Sequence, residues 1–253
     1  MLIKQFLTVF TGYKSDSASF TVVGVGPGDP SLLTIAAVDS IKKAKVIVFP
    51  VSDDNKKSFA EEIVKKYTKF KNKIPIIFPM AREGSDPNEI WFNAVEKIVK
   101  FIQNGESVVL LCLGDTSLFA SSSNILRIIK NNYPEIVTQT IPGISSLSAA
   151  AAFNDFDLVK KGETLIIKEC PSSNSELTSL IRESRGNKTV LAIMKVGKRW
   201  TLVREILKNE DILDKSLIAL NVGMPNQIIQ CASQYKRDFM PYFSLILIRF
   251  DNE

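Results

Sequence analysis

The chain has no histidine at all. That absence excludes Ser-His-Asp and Cys-His machinery, histidine-ligated metals and an imidazole general base. Cysteine is scarce too: Cys112, Cys170 and Cys231 stand far apart with no Cys-x-x-Cys among them. Neither a disulfide framework nor a zinc site is signalled. No apolar run approaches the roughly 20 residues needed to cross a bilayer. Met1–Phe20 carries Lys4 and one short apolar run, Phe6–Phe10, which does not read as a secretory signal. A cytoplasmic protein is expected, with an organelle-directed leader as the alternative. A phosphate-binding Gly-x-x-x-x-Gly-Lys-Ser/Thr run is missing as well, and there is no internal repeat or low-complexity segment.

What is present is ordinary for a globular protein. Apolar residues make up 45% of the 253 positions and charged ones 23%. That length suits one large α/β domain or two of about 120 residues each. Basic residues outnumber acidic ones, 32 to 27, for a net charge of +5. Such an excess favours an anionic partner. The densest basic cluster, Lys65–Lys73, reads as the solvated end of a helix, where lysine complements the helix dipole. No RNA-binding aromatic motif accompanies it, so nucleic acid is not an expected partner.

The chain is organised around Val22-Val23-Gly24-Val25-Gly26-Pro27-Gly28-Asp29-Pro30. An apolar strand runs into a loop of three glycines, stiffened by two prolines, and an amphipathic segment follows. In open α/β sheets ligands sit beyond the carboxyl ends of strands, so a ligand loop is one reading and a bare strand-to-helix turn is the other. The dinucleotide pattern Gly-x-Gly-x-x-Gly fails, because Asp29 stands where the third glycine belongs. A carboxylate there repels a pyrophosphate and suits a neutral or cationic ligand.

Apolar periodicity predicts a helix over residues 32–44 capped by Thr34 or Asp29, a strand at Val46–Phe49, a helix at Lys56–Tyr67 and a strand at Ile74–Phe78. A helix from Asp86-Pro87, a strand at Val108–Leu113, a helix at Ile125–Ile129 and a strand at Val137–Ile141 follow. Strands alternating with helices imply a mostly parallel sheet covered on both faces. Beyond Phe156-Asp157 the strands outnumber the helices, which implies a second α/β domain with more antiparallel pairing. The expected division is an extension at 1–19, an N-terminal domain at 20–157 and a C-terminal domain at 158–253.

Three strand ends form a set: Val25-Gly26-Pro27-Gly28-Asp29-Pro30, Leu113-Gly114-Asp115-Thr116-Ser117-Leu118-Phe119, and Ile141-Pro142-Gly143-Ile144-Ser145-Ser146. In this order, and followed by an Ala-rich stretch, they resemble the tetrapyrrole methylases. Within that family, Phe78-Pro79-Met80-Ala81-Arg82 and Ser145–Ala152 look most like the branch that methylates C20 of precorrin-2 or cobalt-factor II. The resemblance spans roughly residues 20–250. It implies two α/β/α domains with S-adenosyl-L-methionine bound in the cleft between them, S-adenosyl-L-homocysteine as product, an anionic tetrapyrrole substrate and a homodimer. By motif, cofactor contacts fall on Pro27, Leu113, Gly114, Asp115, Leu118, Ser145, Ser146, Met194, Gly223 and Ser244. Similar enzymes read Gly-Asp-Pro in the second loop and often carry a tyrosine a few residues on, where this chain has Thr116 and Phe119.

Methyl transfer from a sulfonium to carbon is a direct displacement, so alignment is the main task and no histidine or covalent nucleophile is required. Arg82, Lys195, Lys198 and Arg199 follow strand ends and are candidates to pair with substrate carboxylates, or are plain surface charge. Asp115 either bonds the cofactor or caps its own turn. Two other readings stay open: a relative methylating another tetrapyrrole carbon or another substrate, and a non-catalytic binder of tetrapyrrole or cofactor.

Overall fold

The computed structural model describes residues 18–52, 57–78, 87–185 and 188–250. By backbone proximity it forms two compact units. The first takes the described residues up to Gly26 together with Pro30–Gly143, and the second takes Pro27–Asp29 and the chain from Ile144 onward. The strand pattern changes near Phe156-Asp157, but the helix at Ser146–Ala152 already groups with the second unit.

The first unit is a five-stranded parallel sheet with order β3-β2-β4-β1-β5. Its strands are β1 (Ser19–Gly24), β2 (Val46–Val51), β3 (Asn72–Ile77), β4 (Ser107–Cys112) and β5 (Val137–Ile141). Successive strand residues face opposite sides of a sheet, and both sides are buried along the inner strands β1, β2 and β4, while the edge strand β5 is mostly exposed. Phe20, Val22, Val46, Val48, Val108 and Leu110 pack on one side with α3 (Pro87–Gln103) and α4 (Ser122–Asn132). Val23, Val25, Ile47, Val109 and Leu111 pack on the other with α1 (Ile35–Lys43) and α2 (Phe59–Val64). Near-continuous apolar strands are the consequence of covering both faces.

Local signals set the helix ends. Thr34, rather than Asp29, caps α1, its Oγ1 accepting the Ala37 N–H at 3.1 Å. Ser58 caps α2 in the same way through Glu61 at 3.4 Å. The helix expected over 56–67 is shorter in its described part: α2 stops at Val64 and a 3-10 turn covers Lys65–Tyr67. The Thr68 hydroxyl lies 3.4 Å from both the Val64 and Lys65 carbonyls, satisfying them where the helix ends.

The second unit has sheet order β6-β7-β10-β8-β9. Its strands are β6 (Thr164–Glu169), β7 (Thr189–Met194), β8 (Ser216–Leu220), β9 (Ile228–Cys231) and β10 (Ser244–Arg249). Only the β6–β7 pair is parallel, and the other three pairs are antiparallel, as the strand-rich sequence implies. After α5 (Ser146–Ala152), helices α6 (Asn174–Arg185) and α7 (Trp200–Asn209) complete the unit. Leu177, Ile181, Trp200, Val203 and Leu207 of α6 and α7 pack on Leu191, Ile193, Ile218 and Ile246. Trp200 is fully buried, and its Nε1–H donates to the Arg237 carbonyl at 2.9 Å, so the large ring leaves no orphaned donor. No helix among the described residues is long and apolar enough to cross a membrane.

In the first sheet β4, β1 and β5 are neighbours and run the same way, so all three glycine-bearing strand ends emerge along one edge. The chain leaves β1 towards α1 on one face and leaves β4 towards α4 on the other. Adjacent parallel strands whose connections part to opposite faces make a switch point, the usual ligand position in an open α/β sheet. Glycine is needed there for close approach. A Cβ on Gly143 would sit 2.3 Å from the Gly114 carbonyl oxygen, and one on Gly24 would sit 2.5 Å from the Gly143 nitrogen. Both obstacles are backbone and have little room to move. Gly143→Ala should therefore destabilise the protein by about 1–3 kcal/mol, the usual cost of overpacking, read as a lower urea midpoint. A variant as stable as the parent would mean that the strand ends can separate without cost.

Candidate functional site

In the first unit the edge is knitted at backbone level. The Gly26 N–H donates to the Gly114 carbonyl at 3.2 Å, and the Gly114 N–H donates back to the Gly26 carbonyl at 2.7 Å. The Val25 N–H reaches the Cys112 carbonyl at 2.9 Å. Gly114 holds φ at +74°, and a Cβ built there would meet no atom within 4 Å. Its outer side is thus open, backbone that a ligand can approach closely.

Asp115 ties the second loop to the third. One carboxylate oxygen accepts the Ser117 N–H at 2.8 Å and also the Ser117 hydroxyl, while the other accepts the Gly143 N–H at 3.0 Å. Burial acts to raise the Asp115 carboxyl, but hydrogen bonds from the Ser117 hydroxyl and from the N–H groups of Ser117, Gly143 and Thr116 outweigh it. The group is held below its ordinary 3.8. Both readings of Asp115 left open by the sequence involve a bond that the carboxylate accepts. The cap is observed, and it extends to a second loop that spacing alone could not reveal. Leu113 packs into the core on the α1 face, and Leu118 is half-buried. Phe119 is 42% exposed with φ at +50°, a conformation uncommon for an aromatic residue.

In the second unit Met194, Gly223 and Ser244 come to one sheet edge. Met194 ends β7, Ser244 begins the antiparallel β10 between β7 and β8, and Gly223 follows the end of β8. The Ser244 hydroxyl is buried and accepts the Gly197 N–H at 2.9 Å, so it fixes the turn after β7. The Met194 carbonyl accepts the Cys170 N–H at 2.8 Å. Gly223 has φ at +75°, and a Cβ on it would stand 2.9 Å from the Asp29 nitrogen and 3.3 Å from Pro27 Cγ. Pro27 of the first motif therefore meets Gly223 directly. Ser145 caps α5, its Oγ accepting the Ser148 N–H at 3.1 Å, and Ser146 is the first helical residue.

The basic candidates part company. Lys195 has φ at +58° and its ammonium is 3.4 Å from the Glu169 carboxylate. Arg199 is turned onto its own unit: it donates to the Ser172 carbonyl and, at 3.2 Å, to Asn174 Oδ1. It also lies beside Cys170, whose thiol is pushed up by burial against the pull of that guanidinium. Lys198 is exposed. Arg82 lies outside the described residues. Sequence reasoning missed the interlock of Gly24 with Gly143 and the buried Asn221, at φ +49°. Glycine directly after a strand was the available signal for the first, and Asn221 gave none. No group of histidine, cysteine, aspartate or glutamate among the described residues could hold a metal ion.

Removing the Asp115 buckle has a pH signature. A carboxyl held low in the folded state stabilises the protein above its unfolded value, and that contribution is lost as pH falls through the folded value. Asp115→Ala should cost about 1–2 kcal/mol near neutral pH, discounted for a half-buried site. The difference from the parent should shrink in urea titrations below the usual carboxylate range. A pH-independent difference would show that the charge plays no part.

Comparison with known proteins gives the family. The profile of the Tetrapyrrole (Corrin/Porphyrin) Methylases matches residues 19–233. A probable cobalt-precorrin-2 C(20)-methyltransferase of Methanocaldococcus jannaschii is 39% identical over 145 residues, covering 57% of this chain and 61% of that protein. The cobalt-precorrin-2 C(20)-methyltransferase of Salmonella typhimurium is 25% identical over 231 residues, covering 89% of this chain and 94% of that protein. Among solved structures, a cobalt precorrin-4 methyltransferase superposes with a TM-score of 0.70 at 18% identity, over 96% of this chain and all of that one. With two α/β units, the glycine-linked strand ends and a profile match over most of its length, the chain belongs to the tetrapyrrole methylase family.

Proposed function

We propose that the chain is an S-adenosyl-L-methionine-dependent methyltransferase that methylates C20 of precorrin-2, or of its cobalt form, in cobalamin biosynthesis. The observation that carries this is the knitted edge of β4, β1 and β5, with Gly114 open to close approach, in a chain similar to two C20-methyltransferases. A carboxylate-bearing loop of exposed backbone fits a neutral or cationic small molecule and not a pyrophosphate. The proposed cofactor contacts are Pro27, Leu113, Gly114, Asp115, Leu118, Ser145, Ser146, Met194, Gly223 and Ser244. Bound there, the cofactor supplies a methyl group already attached to an excellent leaving group.

The work left to the protein is orientation, worth roughly 7–11 kcal/mol when two reactants are held in line. Backbone locked by glycine contacts is suited to it, because it need not reorganise during reaction. Arg82, Lys195 and Lys198 are the proposed partners of substrate carboxylates. For Arg199 we propose a supporting part, since its guanidinium holds the 172–174 turn. A homodimer and a cytoplasmic setting belong to the same reading.

The test is incubation with methyl-labelled S-adenosyl-L-methionine and precorrin-2, with and without cobalt, followed by mass spectrometry and carbon NMR. One added methyl at C20 is expected. A methyl on another carbon would move the chain to a different branch. Cofactor binding with no methylation of any corrin precursor would favour a non-catalytic binder, a reading motivated by Thr116 and Phe119, which stand where similar enzymes have proline and tyrosine.

A further inference from the structure

A basic cavity lies on the first unit, sharing only Pro30 with the strand-end loops. It has a volume of about 560 Å³ and is lined by Lys65, Lys66, Lys69 and Lys73, with Glu62, Ile63 and Pro30. Two of the lysines are already compensated. Lys65 lies 2.9 Å from Glu62, and Lys73 lies 2.6 Å from Glu61. Their hydrogen bond lowers the Glu62 carboxyl and raises the Lys65 ammonium, so both stay charged.

Lys66 and Lys69 differ from these. Among the described residues the partners recorded for them are ring faces, Tyr67 at 4.9 Å for Lys66 and Phe70 at 5.4 Å for Lys69. Lys42 adds a second cation over the Tyr67 ring, at 5.6 Å. Cations stacked on rings, with the neighbouring carboxylates spent on Lys65 and Lys73, leave two positive charges unmatched at one cavity. A solvated helix end needs no cavity. The volume lies within the roughly 300–1,000 Å³ of small-molecule sites, and the lining sets the sign of its occupant.

We propose that this cavity binds a small multivalent oxyanion, one carrying at least two phosphate or carboxylate groups, with Lys66 and Lys69 as its principal partners. Two anionic groups answer the two uncompensated ammonium groups, and Ile63 and Pro30 give the body between them an apolar lining. A single-charged anion would meet the Glu62 carboxylate with less to offset it.

Titration calorimetry on the full chain tests this, with tripolyphosphate and citrate as separate probes at low and raised salt. Saturable one-to-one binding that weakens with salt is expected. Binding of tripolyphosphate alone would assign phosphate groups, and binding of both probes would extend the site to carboxylates. Lys66→Glu with Lys69→Glu should weaken binding at least about tenfold, two reversed contacts of ordinary surface strength. Lys97→Glu with Lys100→Glu, the same charge change on the exposed side of α3, should leave it unaltered. No heat from either probe, or equal weakening by Lys97→Glu with Lys100→Glu, would overturn the proposal. So would capture of an RNA oligomer without tripolyphosphate binding, which would assign the lysines to a nucleic-acid backbone. Unchanged thermal unfolding of the variants separates loss of the site from loss of the fold.

Discussion

The close approach of Gly24, Gly114 and Gly143 is the constraint on which the strand-end edge of the first unit depends. Built Cβ atoms at Gly24 and Gly143 would fall well inside contact distance of neighbouring backbone, so no other residue fits without moving a strand end. Parallel pairing puts the three ends on one edge, and absence of side chains lets them touch. The reciprocal Gly26–Gly114 hydrogen bonds continue the sheet past its formal end. What projects beyond is stiff backbone, with one open face at Gly114.

Charge completes what sterics begin. Asp115 stands where three N–H groups and a hydroxyl converge, and their combined pull overcomes the cost of partial burial. Its carboxylate does for the second and third loops what the glycine bridge does for the first and second. The methyl transfer proposed for this chain would need no histidine, because the leaving group needs no activation and geometry is the chief demand. The second unit builds its own edge by other means. There an antiparallel strand lies between β7 and β8, and the buried Ser244 hydroxyl and the positive-φ residues Lys195, Asn221 and Gly223 shape the turns.

Much of the architecture was legible in the sequence. Alternating apolar strands and amphipathic helices carry their own period, and Thr34 and Pro87 mark helix starts by chemistry local to a few residues. Antiparallel pairing in the second half follows from strands crowding out helices. The limits of α2 were less legible, because the Thr68 hydroxyl competes for its last carbonyls and periodicity does not register such competition. The partners of Arg199 were hidden for a similar reason: its bonds to the Ser172 carbonyl and Asn174 cannot be read from a cation's place after a strand end.

By itself, then, the sequence determined element types, the fold class, the three glycine-bearing strand ends and the family they resemble, since these depend on composition and spacing within a few residues. Tertiary structure alone decided that Asp115 reaches Gly143, that Pro27 meets Gly223, and that Lys66 and Lys69 share a cavity. The first two contacts join residues far apart in the chain, brought together by strand order and loop course. The cavity draws on a local run of lysines, but which of them carboxylates neutralise depends on side-chain geometry that no spacing rule encodes.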